Sequence, residues 1–229
     1  MVSFQPAQDF ADAKHVRAQS LTPIQQPTPR SLQVGSDCYM QYMLKHAHGL
    51  SVFHSEAELL YAGLLEADPE VASFVPQPFR LRVRGRYYTP DCYLVAGAQR
   101  RVVELKPNAR MDPHLQRPLA AFFATQGMTF EVISNEWVYE RQVLAESWLE
   151  IVRRLHVARD EDTTEAELQL RSRLLAQPQL QVSDIVDAGD RDATYLAEVA
   201  LYRLLHRGVL VANLETDHLN YATEVSLSP

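Results

Sequence analysis

The sequence predicts an α/β fold: a mixed sheet flanked by helices, followed by a small α+β module of winged-helix pattern. Three observations predict it. A strand-turn-strand unit fills Tyr87 to Pro107, and a helical stretch after it leads into the buried-looking strand Met128–Ser134, so that strand must run parallel to a neighbour. Upstream lie a capped helix and an alternating strand, which gives the order α-β-β-β-α-β. Beyond an acidic break at 159–165 come three helix signals and two strand signals.

At 229 residues, 46% hydrophobic and 22% charged, the chain suits one domain plus an appendage. No run of about 18 apolar residues occurs, and the N-terminus lacks a basic segment followed by an apolar one, so neither secretion nor a membrane span is predicted. Cys38 and Cys92 stand alone, without CxxC spacing. That pattern supports neither a zinc site nor a disulfide framework and fits a reducing cytoplasm.

Residues 1–35 are rich in Gln and Pro with little periodicity, and read as an extended arm. In 37–54 a short strand is predicted at Leu50–Phe53. His46, His48 and His54 fix no common face, and polar contacts are expected of them rather than metal ligation. Ser55 with Glu58 three residues on forms a capping box for a helix reaching Asp68-Pro69, with Leu59, Leu60, Gly63 and Leu64 on its apolar face. Glu58 therefore has two readings. It caps the helix, or it points into the protein beside Ala62 and Leu65 as a functional acid.

Val71–Pro78 reads as a loop or short strand. Phe79 to Arg84 alternates strictly, with Phe79, Leu81 and Val83 inward and Arg80, Arg82 and Arg84 outward, before a tight turn at Gly85-Arg86 into one strand through Tyr87-Tyr88-Thr89-Pro90-Asp91. After Lys106-Pro107, Asp112-Pro113 starts a helix ended by Gly127, with Pro118 placed to kink or split it. A long amphipathic helix follows over Tyr139 to about Ala158. The domain boundary is placed at 160/161; in 161–229 helices are expected at 164–177, 183–188 and 192–207, with strands at 209–214 and 219–226.

The chemistry gathers at Pro90-Asp91 and Glu104-Leu105-Lys106. Strand side chains alternate, so Glu104 and Lys106 share a face while Leu105 points to the core. Two hard oxygen ligands, Asp91 and Glu104, converge from adjacent strands as a magnesium or manganese ion requires, and Lys106 sits beside them to orient water and offset phosphate charge. Glu58 would complete the ligand set.

Charge supports a phosphate substrate. The chain carries −7 overall, yet residues 1–111 hold 12 basic against 10 acidic groups, and 112–229 hold 10 against 19. Between Arg80 and Arg110 there are eight basic residues and two acids, Asp91 and Glu104. Arg80, Arg82, Arg84, Arg86, Arg101 and Arg110 are candidate phosphate contacts, against the alternative of an ordinary solvated face. The last helix signal, with Asp192, Glu198, Arg203, His206 and Arg207, makes a poor phosphate-binding face, so protein contacts are expected there.

Pro90-Asp91 followed by Glu104-Leu105-Lys106, with Glu58 upstream, resembles the PD-(D/E)XK nuclease signature. More specifically, SEAELLYAGLLEADPEV, QPF, YYTPDCYLV and RVVELKP together resemble the TnsA endonuclease family over roughly residues 45–137. The resemblance implies a restriction-endonuclease-like core at 36–160 with Glu58, Asp91, Glu104 and Lys106 as catalytic residues, the three acids binding Mg²⁺ or Mn²⁺. Gln77 matches a recurrent family position, read here as a structural hydrogen bond.

The resemblance also implies a role. The subunit would cut the 5′ strands of double-stranded DNA at transposon ends in the bacterial cytoplasm, beside an integrase-type transposase and an AAA+ ATPase regulator that contacts the C-terminal domain. Two alternatives stand beside it: a restriction or junction-resolving nuclease acting alone, and a non-catalytic DNA-associated adaptor whose acids pair with the surrounding arginines.

Overall fold

The computed structural model describes residues 11–28 and 38–229. The sequence-predicted arm at 1–35 thus lies partly outside the described residues. Within them the chain is mixed α/β and divides into two compact units. The first comprises the described part of Met1–Gln41 with Lys45–Leu59 and Glu70–Glu140; the second comprises Tyr42–Leu44, Leu60–Pro69 and Arg141–Pro229. No helix among the described residues is long and apolar enough to cross a membrane.

The first unit is built on a four-stranded mixed sheet in the order β4-β7-β8-β9, namely Val71–Pro76, Cys92–Ala96, Gln99–Lys106 and Thr129–Ser134. β4, β7 and β8 are antiparallel, and β8 to β9 is parallel, as the crossover through α2 (Pro113–Thr125) demands. Asp112 caps α2 by accepting the His114 N–H at 2.9 Å. Gly127 ends it at φ +66°, its N–H reaching the Ala124 carbonyl while Met128 N–H reaches that of Phe123. Pro118 does not split this helix.

A second, antiparallel sheet orders β1 (Val16–Ala18), β5 (Leu81–Val83) and β6 (Arg86–Tyr88). Its inward side chains join Phe79, Tyr93, Val102, Leu119 and Phe123 in one core, with Phe79 5.7 Å from Tyr93 and 5.8 Å from Phe123 between ring centroids. Two expectations are corrected here. Residues 16–18 of the presumed arm are a packed strand, because Val16 is buried opposite Val83. The single strand through Thr89-Pro90-Asp91 is two strands in two sheets, broken at Pro90, which carries no N–H for a ladder.

β2 (Tyr39–Tyr42) and β3 (Leu50–Phe53) form a short ladder, and α1 spans Glu56–Ala67. The helix expected over 139–158 is α4 (Gln142–Val157), and a separate short helix, α3 (Asn135–Tyr139), precedes it because Arg141 leaves helical geometry at φ −114°, ψ 21°.

In the second unit α4, α5 (Thr164–Ala176) and α6 (Arg191–His206) pack through Trp148, Ile151, Leu155, Leu170, Leu174, Leu201 and Leu205. Sequence placed the boundary after 160; α4 and Leu60–Pro69 in fact group with the C-terminal residues. The helix expected at 183–188 is a single 3-10 turn, Val182–Asp184, and in place of the two expected strands there is a three-stranded sheet of β10 (Gln179–Gln181), β12 (Glu224–Leu227) and β11 (Leu210–Ala212), with β12 central.

Candidate active site

Register brings the site together. β7 and β8 are joined by a two-residue turn in which Gly97 takes φ +53°, and Cys92 pairs with Val103. Asp91, one residue before β7, therefore stands at the end of the hairpin away from the turn, beside Glu104 on β8. The Leu105 N–H donates to Asp91 Oδ2 at 2.7 Å, which fixes the carboxylate against the neighbouring strand. Glu104 is buried, takes the Lys106 ammonium on Oε1 at 2.6 Å and accepts the Tyr88 hydroxyl on Oε2. Tyr88 reaches it from β6 of the other sheet.

Glu58 both caps its helix and turns its carboxylate inward. Ser55 Oγ accepts the Glu58 N–H at 3.3 Å and donates back to Oε1 at 3.1 Å, so the cap forms. Its Oε2 accepts the His54 N–H at 3.1 Å and the Gln77 side-chain amide, which turns the carboxylate toward the hairpin acids. Gln77 is buried at φ +41°, in the left-handed region that non-glycine residues seldom adopt. Its N–H donates to the Asp91 carbonyl and its carbonyl accepts from Gln26 N–H, both at 2.9 Å; its side-chain oxygen accepts from Gln25 at 3.0 Å. One residue thus ties Glu58, Asp91 and the N-terminal segment together.

The electrostatics follow from crowding acids out of water. Burial, then the charges of Glu104 and Glu58, push the Asp91 carboxyl well above its ordinary range against the Leu105 N–H and Lys106. Burial also raises Glu58, with Glu104 adding to it, while His54 N–H, Ser55 and Lys106 oppose. For Lys106, burial disfavours the charge, but Glu104, Asp91 and Glu58 outweigh it and hold the ammonium above the usual lysine range. Three carboxylates face one cation.

The donor set suits a hard divalent ion in kind and in charge: three carboxylates against one ammonium leave a surplus of two, which one Mg²⁺ or Mn²⁺ would cancel. As the side chains stand, no three His, Cys, Asp or Glu groups among the described residues are close enough together to hold a metal. Protein donors occupy these carboxylates instead, Gln77 on Glu58, Leu105 on Asp91, Tyr88 and Lys106 on Glu104.

The remaining candidates scatter. Arg80, Arg82, Arg84, Arg86 and Arg110 are exposed. Arg80 and Arg82 lie over the Tyr87 ring, at 5.4 and 4.7 Å. Arg101 is 3.8 Å from Glu131, so it is partly occupied by a carboxylate. None of the arginine ion pairs among the described residues involves Glu58, Asp91 or Glu104. The histidines make polar contacts: His46 with Ser51 Oγ at 2.7 Å and His54 with Thr28 Oγ1 at 3.1 Å. No disulfide joins Cys38 and Cys92.

Sequence reasoning missed Tyr88, whereas Gln77 makes the structural hydrogen bonds expected of it. Tyr88 had a signal, the Tyr-Tyr pair, whose members must face opposite sides of a strand. Gln77 had another, an amide side chain set between Pro76 and Pro78 in an apolar run. No family model matches the chain, and no curated protein matches it.

Proposed function

We propose that the protein is a metal-dependent DNA endonuclease, with Glu58, Asp91, Glu104 and Lys106 as its catalytic residues and Mg²⁺, or Mn²⁺, as its cofactor. The observation that carries this reading is the meeting of three partly or wholly buried carboxylates and one lysine at the open end of the β7-β8 hairpin, where burial and the neighbouring acids raise the proton affinity of Asp91 and Glu58. A group of acids that costs stability in this way is more readily explained by chemistry than by packing. The adaptor alternative draws no support from the ion pairs, since among the described residues the site's only cationic partner is Lys106.

When bound, the ion would supply Lewis-acid polarisation of the phosphate and an acidified water. Asp91, fixed by the Leu105 N–H, and Glu104, fixed by Tyr88, would hold it; Glu58, oriented by Gln77 and His54, would complete the set. Lys106 is half-buried and kept charged by its neighbours, so it can donate to a phosphate oxygen and offset charge as the bond breaks.

In this reading the first unit is a restriction-endonuclease-like core and the second a winged-helix-like module that binds partner proteins. The biology is that implied by the TnsA resemblance: cutting the 5′ strands at transposon ends, in the cytoplasm, with an integrase-type transposase and an AAA+ regulator held through the C-terminal module. The test is to combine the protein with those two partners, transposon-end DNA and Mg²⁺. Expected are 5′-strand cuts that disappear in Asp91→Ala and Lys106→Ala; cuts that persist in Asp91→Ala overturn the assignment. Cleavage by the isolated protein would instead place it with nucleases that act alone.

A further inference from the structure

The outer face of the β1-β5-β6 sheet carries a cation-aromatic arrangement that the cleavage site does not use. Arg17, Arg82 and Tyr87 stand in cross-strand register, Arg17 opposite Arg82 and Arg82 opposite Tyr87, so their side chains share one face. Arg80 is two residues along the same face. The Arg80 and Arg82 guanidinium carbons lie 5.4 and 4.7 Å from the Tyr87 ring centroid, and Arg82 donates to the Tyr87 hydroxyl at 3.2 Å.

Tyr87 is nonetheless 69% exposed, and with the three arginines it lines a depression of about 230 Å³. Among the described residues no carboxylate pairs with Arg17, Arg80 or Arg82. Like charges set directly across a ladder destabilise it, so Arg17 and Arg82 are arranged at a cost that a bound anion would remove.

We propose that this face binds an unpaired nucleic-acid strand, its phosphates on Arg17, Arg80 and Arg82 and a base stacked on Tyr87. Guanidinium forks match phosphate oxygens, and an exposed aromatic on a sheet surface gives a base a flat partner. A duplex could use the arginines but keeps its bases stacked inside, and an acidic peptide would use them without needing the ring. Tyr87 and Tyr88 are consecutive, so the strand-binding face and the contact to Glu104 lie on opposite sides of β6. The site extends the nuclease reading to a second surface, and its test needs no cleavage.

The experiment measures fluorescence anisotropy of a labelled thymidine oligomer of roughly 12 nucleotides, within the usual site size for such surfaces, with the full chain in EDTA. Tyr87→Ala is expected to weaken binding by at least about fivefold, as loss of one stacked base does, and Tyr87→Phe to retain it. Arg17→Ala with Arg82→Ala should flatten the dependence of log affinity on log salt by about 1.4, two single-strand phosphates' worth. Asp91→Ala should bind as wild type does while losing cleavage.

Circular dichroism checks that each variant is folded. Binding of Tyr87→Ala within twofold of wild type overturns the proposal. So does equal displacement by polyglutamate of the same length, or a preference for duplex over single strand. If wild type binds no oligomer yet Mg²⁺-dependent cutting persists, this site is refuted and the cleavage reading stands.

Discussion

At the scale of single residues, Asp91 carries both the proposed chemistry and its cost. Its carboxyl is buried beside two other acids, and the ionised form is disfavoured in the absence of a cation. Asp91→Asn keeps an acceptor for the Leu105 N–H while removing the charge. We expect it to lower cleavage by about a hundredfold or more, as loss of a charge-stabilising group does, and to raise the metal-free stability at pH 7 by about 1 kcal/mol. Denaturant melts in EDTA measure the second effect; a loss of stability there would show that the acids do not strain the fold. Tyr88→Phe deletes only the hydroxyl that holds Glu104, and cleavage is expected to fall about tenfold to a hundredfold, as for other residues that orient a metal's ligands, with the melting curve nearly unchanged. Asp91, Glu104 and Lys106 were legible in the sequence because strand alternation places them without knowledge of the rest of the molecule. Tyr88 was not, because its reach to Glu104 depends on how two separate sheets meet.

At the scale of elements, the long periodic segments were legible and the short ones were not. α2 and α6 announce themselves through caps and apolar spacing, and the parallel β8-β9 pair follows from the intervening helix. β1 and β10 are three residues each, too short to carry a period. The Ser183–Ala188 stretch imitates a helix because Ile185 and Val186 are buried, yet the chain is held in one 3-10 turn, where Asp184 accepts the Gln181 N–H at 2.8 Å. α1 is apolar almost all round from Leu60 to Leu65, the mark of a helix sunk in protein. Gly63 makes its close approach to α4 possible: a Cβ there would stand 2.6 Å from the Ala145 carbonyl oxygen. Gly63→Ala is therefore expected to destabilise the protein by about 1–3 kcal/mol in denaturant melts, through overpacking, although alanine is the better helix former.

At the scale of the whole molecule, the proposed site would make stability depend on pH and on metal together. The folded chain keeps protons on Asp91 and Glu58 at pH values where the unfolded chain has lost them. Metal-free stability is thus greatest below the ordinary carboxylate range, as far as these two groups are concerned, and falls as pH rises from that range through the raised folded values. Mg²⁺ needs the ionised acids, so its stabilising effect should grow over the same interval, reaching about 2.7 kcal/mol at a hundredfold excess over the dissociation constant. Thermal melts with EDTA or Mg²⁺ across that interval test both trends; parallel curves would refute the metal assignment. The uneven spread of charge was legible in composition, the basic stretch falling in the first unit, whereas the boundary was not, because α4 belongs to the C-terminal unit by packing rather than by sequence. The two-residue turn at Arg84-Gly85, both with φ positive, sets the frame of β6. Inserting or deleting a single codon there would exchange Tyr87 and Tyr88, withdrawing the hydroxyl from Glu104 and the ring from the arginines in one event. Length change in this hairpin should be far less tolerated than substitution, even though the turn lies wholly at the surface.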